Sequence, residues 1–133
     1  MMKEDLEKLE AVNRTVNSKI RYVRDDGPDY WQSPEETLER GTGDCEDFVI
    51  LKFHELVKAG VDPDKMYFCY CKIGDIRHVV LGYGTRENPL ILDCRNEEIR
   101  PMRECDFVPI FCFDSDQIQR VRQWVEMEAR RAV

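Results

Sequence analysis

Apolar residues recur at steps of three and four near the start of the chain, at Leu9, Val12, Val16, Ile20 and Val23, with Glu, Lys, Asn and Arg between them. That spacing predicts an amphipathic helix from Lys3 to about Tyr22. Asp25-Asp26-Gly27-Pro28 should end it, since Gly permits a left-handed cap and Pro cannot continue the turn. In Ser33-Pro34-Glu35-Glu36, Ser33 can cap, Pro34 suits the first helical position and Glu36 can reach back, so a short helix is expected to about Arg40. Gly41-Thr42-Gly43 breaks it. From Cys45 to Ala59 the apolar stripe thickens: Val49, Phe53 and Leu56 lie on the side of Cys45, and Phe48 and Ile50 widen it, before Gly60 and Pro63 close the helix. So apolar a helix is expected to be central and packed on a sheet.

The pattern then changes to that of strands. Met66 to Ile73 is rich in aromatic, thiol and β-branched side chains, Gly74-Asp75 reads as a tight turn, and Ile76 to Tyr83 completes a hairpin. In the second strand His78 shares a face with Ile76 and Val80, opposite Val79 and Leu81. Leu90 to Asp93 is a third strand. An Arg- and Glu-rich stretch reads as irregular, and Phe107 to Phe113 gives a fourth strand, with Pro109 pointing to an edge or a bulge. Asp114 or Ser115 can cap a final helix with a stripe at Ile118, Val121, Val125 and Ala129. Helices, an antiparallel meander and a last helix make an α+β plan.

Composition narrows the classes. At 133 residues, 42% hydrophobic and 35% charged, the chain is expected to form one globular domain over 1–133. A net charge of -7 with no basic cluster argues against a nucleic-acid partner. No apolar run is long enough for a membrane span, and the charged opening Met-Met-Lys-Glu-Asp-Leu-Glu-Lys does not read as a signal peptide, so the expectation is a soluble chain that stays in the cytoplasm. Setting Cys45 aside as a free nucleophile leaves five of the six cysteines, an odd number that cannot all pair internally, and a reducing compartment is expected. Cys69 and Cys71 share a strand face, where two buried small apolar side chains are favoured over a metal pair.

Candidate chemistry centres on Cys45. A thiol after a Gly-rich turn, at a helix start, meets partly positive backbone N–H groups that favour the thiolate. A nucleophile also needs a base and a group that orients it. Of the two histidines, His54 lies nine residues along the same helix, more than about 10 Å away by helical rise, and is expected to be a packing or surface residue. His78 is the better base: if its strand neighbours the one ending at Asp93, the carboxylate can meet the imidazole across the pair.

Asp-Tyr-Trp-Gln-Ser-Pro-Glu-Glu-Thr, then Gly-Asp-Cys-Glu-Asp-Phe, Arg-His-Val-Val-Leu and Leu-Ile-Leu-Asp occur in order between Asn13 and Phe113. Together they resemble the bacterial transglutaminase-like cysteine proteinases, papain-like enzymes that include periplasmic proteases releasing biofilm adhesins. The resemblance implies a transglutaminase-like papain fold and a Cys45-His78-Asp93 triad that attacks a protein or peptide substrate through an acyl-enzyme. It also implies that Trp31, ahead of the nucleophile, helps form the oxyanion pocket, although a large aromatic there also suits the core. In adhesin-processing members the acids matching Asp44 and Glu46 hold calcium, which implies a Ca2+ site here. The plain reading is that Asp44 caps the helix while Glu46 and Asp47 favour its positive end. Because no signal peptide is visible, the adhesin substrate and periplasmic location are not carried over. The same triad would also serve a transglutaminase, in which an amine resolves the acyl-enzyme, and an inactive binding module is a further alternative.

Overall fold

A computed structural model gives the fold for residues 3–24, 31–114, 116, 117 and 120. The first helix, α1 (Lys3–Lys19), ends three residues before the predicted limit. Arg21–Tyr22 instead forms a short strand, β1, parallel to β2 (Thr42–Gly43). The amide of Arg21 donates to the Gly41 carbonyl and that of Val23 to Gly43, both at 2.9 Å, so these backbone groups find partners outside the helix. The predicted Asp25–Pro28 stop lies outside the described residues.

Helix α2 (Pro34–Arg40) starts with the expected capping box: Ser33 Oγ accepts from Glu36 N, and Glu36 Oε1 accepts from Ser33 N, each at 3.2 Å. Helix α3 (Cys45–Lys58) has the same device, with Asp44 and Asp47 exchanging side-chain-to-backbone hydrogen bonds at 3.1 Å. Gly43 is what lets Asp47 fold back so closely. A Cβ at Gly43 would lie 2.7 Å from Asp47 Cβ.

The main sheet comprises β3 (Met66–Ile73), β4 (Ile76–Tyr83), β5 (Leu90–Asp93), β6 (Asn96–Pro101) and β7 (Val108–Phe113), antiparallel throughout and ordered β6-β5-β4-β3-β7. Two expectations need correction. The Arg- and Glu-rich stretch forms strand β6, an edge whose largely exposed side chains carry no apolar alternation that could announce it. The sheet is also not a simple meander, because β7 crosses to pair with β3 on the edge opposite β6. Pro109 sits on that edge, and the β3–β7 register shifts between Tyr70 and Cys71; an edge position and an irregularity both suit a proline in a strand.

Alternation along the strands sorts the core into two layers. Phe68, Val79, Leu81 and Leu92 pack under Leu9 of α1 and Val49, Ile50 and Leu56 of α3. Cys69, Cys71, Val80 and Ile91 form a second layer with Phe107. Full burial of one such aliphatic side chain contributes about 1.5–3 kcal/mol, so these contacts anchor α3 on the sheet. Among the described residues, no helix is long and apolar enough to cross a membrane. Asp114 exchanges hydrogen bonds with Gln117 at 2.9 and 3.0 Å, consistent with a helix start there, while the predicted stripe at Ile118, Val121, Val125 and Ala129 lies outside the described residues.

Candidate active site

Cys45 is the first residue of α3 and is half-buried against the helix-facing core. The backbone N–H of Val79, the residue after His78, acts on the Cys45 thiol in the sense that favours its thiolate. Burial pushes the thiol up to about 12, with the Glu46 and Asp44 carboxylates pushing the same way and the Val79 N–H opposing them. At neutral pH the sulfur is therefore protonated. A nucleophilic role for this sulfur would require a base to take up its proton.

His78 and Asp93 reach each other because β4 and β5 are antiparallel neighbours, with Leu81 opposite Leu92 and Tyr83 opposite Leu90. Asp93 ends β5 at the sheet end where β4 carries His78, and Nε2 of His78 lies 2.8 Å from Asp93 Oδ1. Both side chains are buried. Burial alone would raise the Asp93 carboxyl, but hydrogen bonds from His78 and Arg95 outweigh it and hold the group well below the usual carboxylate range. An ionised carboxylate only accepts, so Nε2 carries the proton. In the neutral ring, Nδ1 is then the basic nitrogen.

Arg95 is a residue that sequence reasoning passed over. Its Nε and Nη2 grip Asp93 Oδ2 at 3.1 and 2.7 Å, and its backbone N–H donates to Oδ1 at 3.1 Å. The same guanidinium bonds to Asp106 at 3.0 Å. Such a planar fork suits one carboxylate geometry, so it limits rotation of Asp93. An Arg two residues after an acid gives no sequence signal by itself; the β5–β6 turn brings it round.

Two further features were not anticipated. Lys52 of α3 is fully buried, donates to Asn13 Oδ1 at 2.8 Å and stands 5.7 Å from the Phe48 ring centre. Asn13 in turn donates to the carbonyls of Asn96 and Glu97 at 3.0 and 3.1 Å, and Asn17 donates to the Asp93 carbonyl at 2.9 Å. Two asparagines of α1 therefore hold the turn that carries Asp93. Cys94 also stands close, since one ligand-type atom each of His78, Asp93 and Cys94 falls within 4.8 Å of the others. The oxygens of Asp93 are already engaged there by His78 and Arg95.

The remaining predicted residues divide by environment. Trp31 is partly buried and packs on the helix-facing core. Asp44 is buried as the α3 cap, and Glu46 is half-buried beside it. Asp47 accepts from both Asp44 N and Gln32 N, at 3.1 and 2.9 Å, so it is committed to holding the loop before α3. His54 lies farther along α3, half-buried, away from the Cys45 end.

The family described as bacterial transglutaminase-like cysteine proteinase BTLCP matches residues 1–132. Among solved structures the chain is similar to Legionella pneumophila LapG, at 35% sequence identity and a TM-score of 0.76, covering 84% of this chain and 66% of that one. The calcium-bound form of LapG gives 35% identity and 0.76, over 83% of this chain and 65% of that one. The EGTA-treated form gives 35% identity and 0.75, over 83% and 63%. The chain thus spans just under two thirds of the length of that protein. No curated protein matches it.

Proposed function

Because the chain belongs to the bacterial transglutaminase-like cysteine proteinase family, we propose that it is a cysteine peptidase that cleaves a protein or peptide substrate through an acyl-enzyme on Cys45. The observation that carries this reading is the 2.8 Å bond from His78 Nε2 to an ionised Asp93, which leaves Nδ1 as the basic nitrogen on the residue preceding Val79, whose backbone N–H favours the Cys45 thiolate. Cys45 Sγ attacks the carbonyl carbon while His78 takes its proton. His78 then returns that proton to the leaving amine, and water, deprotonated by His78, releases the acyl group. Asp93 holds the tautomer and stabilises the imidazolium. In this reading the Trp31 indole N–H is a donor toward the developing oxyanion, a role that stands beside its packing on the core.

Calcium is part of the proposal. Asp44 and Glu46 flank the nucleophile and raise its pKa, and their hard carboxylate oxygens are of the type that suits this ion. When bound, calcium would supply positive charge beside Cys45. Asp44 and Glu46 are the residues proposed to hold it. Calcium, but not magnesium, should raise the melting temperature of the intact protein, and Asp44→Asn with Glu46→Gln should remove that shift. An identical melting temperature in chelator and in calcium would refute the site.

The substrate class follows from the family, and the acidic balance of -7 favours a partner other than nucleic acid. The decisive experiment is cleavage of a proteome-derived peptide library by the wild type and by Cys45→Ala. New peptide termini should appear with the wild type alone. Equal cleavage by Cys45→Ala would end the thiol mechanism, and amine incorporation without cleavage would replace hydrolysis by acyl transfer.

A further inference from the structure

Outside the candidate site, two thiols face each other across the sheet. Cys69 of β3 and Cys112 of β7 are direct register partners on neighbouring antiparallel strands, and their sulfur atoms lie 2.6 Å apart. That is nearer to a covalent S–S bond of about 2.05 Å than to a resting contact of two thiols. Directly opposed strand residues also bring their Cβ atoms to a separation a disulfide can span. On its other side Cys69 is hemmed in by β4, where a Cβ added at Gly82 would stand 3.0 Å from its sulfur.

We propose that Cys69 and Cys112 are a disulfide-forming pair that joins β3 to β7 when the chain meets a small-molecule disulfide oxidant such as oxidised glutathione. Cys69 is fully buried and Cys112 is half-buried on the edge strand, so the reagent enters at Cys112. The contact with Cys69 and the nearby Arg86 guanidinium both hold the Cys112 thiol below its ordinary pKa, which favours its thiolate as the attacking group. Cys112 loses its proton and attacks one sulfur of the oxidant, expelling one glutathione thiolate. Cys69 then loses its proton and attacks the Cys112 sulfur of the mixed disulfide, expelling the second thiolate. Two protein thiols are oxidised and one glutathione disulfide is reduced to two thiols.

The pairing is selective. Cys71, two residues along the same face, has Pro109 as its β7 partner and donates instead to the His78 carbonyl at 3.5 Å. Cys105 donates to the Pro101 carbonyl at 3.4 Å. The bond would also secure an exposed edge: Val108, Ile110 and Phe111 of β7 are 68%, 51% and 48% exposed, and a frayed apolar edge is a template for aggregation.

The test incubates the full chain in glutathione buffers from fully reduced to fully oxidised, blocks free thiols in denaturant with N-ethylmaleimide, and maps the linked peptides by mass spectrometry. A Cys69–Cys112 cross-link, with Cys71 and Cys105 alkylated, is expected. The melting temperature should rise by roughly 5–15 °C on oxidation, and Cys112→Ser should keep the reduced value in both buffers. Alkylation of both Cys69 and Cys112 after full oxidation would overturn the proposal, as would linkage of either one to another cysteine or equal melting temperatures for the wild type in the two buffers.

Discussion

His78 Nε2 stands 2.8 Å from Asp93 Oδ1, and the carboxylate of Asp93 is gripped from its other side by Arg95 at 2.7 Å. One acid is thus shared between a buried imidazole and a largely solvent-facing guanidinium at the same strand end. Replacing Asp93 by Asn keeps the shape but offers Nε2 either an amide donor or a weaker acceptor, so the ring can take the other tautomer. Asp93→Asn should lower kcat by about 10²–10⁴-fold with little change in KM. Steady-state kinetics on any peptide found by library cleavage measures it, and an unchanged kcat would separate Asp93 from the mechanism.

The Arg95 grip also sets an acid limit on stability. The Asp93 carboxyl lies below its unfolded value, so its contribution is present above the unfolded pKa, near 4, and is lost as pH falls through the lower folded pKa. Arg95→Met should cost about 1–2 kcal/mol at pH 7, a figure kept low because Arg95 is 38% exposed. The gap between wild type and variant should narrow progressively as pH falls below about 4. Urea unfolding at several pH values reads the gap directly; a constant gap would assign the cost to packing instead of charge.

Cys45 is suppressed by its surroundings, with burial first and Glu46 and Asp44 next in pushing it up to about 12. Removing one flanking charge should therefore lower the thiol pKa. Glu46→Gln should speed iodoacetamide labelling of Cys45 at pH 8 by roughly three- to tenfold, since labelling tracks the thiolate fraction. Peptide-resolved labelling rates distinguish Cys45 from the other thiols. A slower rate in the variant would place the electrostatic control elsewhere.

Lys52 offers a probe of the α1–α3 seam. Burial lowers its pKa to about 8, against a partial recovery from Cys94 and Asp93. Between about pH 8 and the unfolded value near 10.4, the unfolded chain binds the extra proton, so stability attributable to Lys52 rises with pH through that window. Lys52→Met should abolish this rise, which amounts to at most about 3 kcal/mol. It should also leave Asn13 Oδ1 without its 2.8 Å donor, at a cost of about 1–3 kcal/mol. Denaturation curves at pH 7 and 10 for both proteins test the sign. A wild type that loses stability relative to the variant across this window would contradict it.

Local chemistry accounts for what could be read without a structure. The capping box at Ser33, the cap at Asp44, the hairpin at Gly74-Asp75 and the strand ending at Asp93 each depend on neighbours within a few residues, and all appear where expected. The early stop of α1 and the strand Asn96–Pro101 were illegible for the opposite reason. Their backbone groups are satisfied by Gly41, Gly43 and β5, distant partners that leave no periodic trace.

The sequence by itself determined the three helices and the strands β3, β4, β5 and β7, the α+β class, the position of Cys45 at a helix start and the short supply of histidines that made His78 the candidate base. Only the tertiary structure decided how the acid beside it is held. Arg95, Asn13, Asn17 and Lys52 converge on the Asp93 turn from α1, α3 and the β5–β6 connection. The same is true of Cys69 and Cys112, which are 43 residues apart and meet because β7 crosses to the β3 edge. Spacing along a chain specifies faces of helices and strands, whereas convergence between elements depends on strand order, and strand order is settled by burial of the whole core.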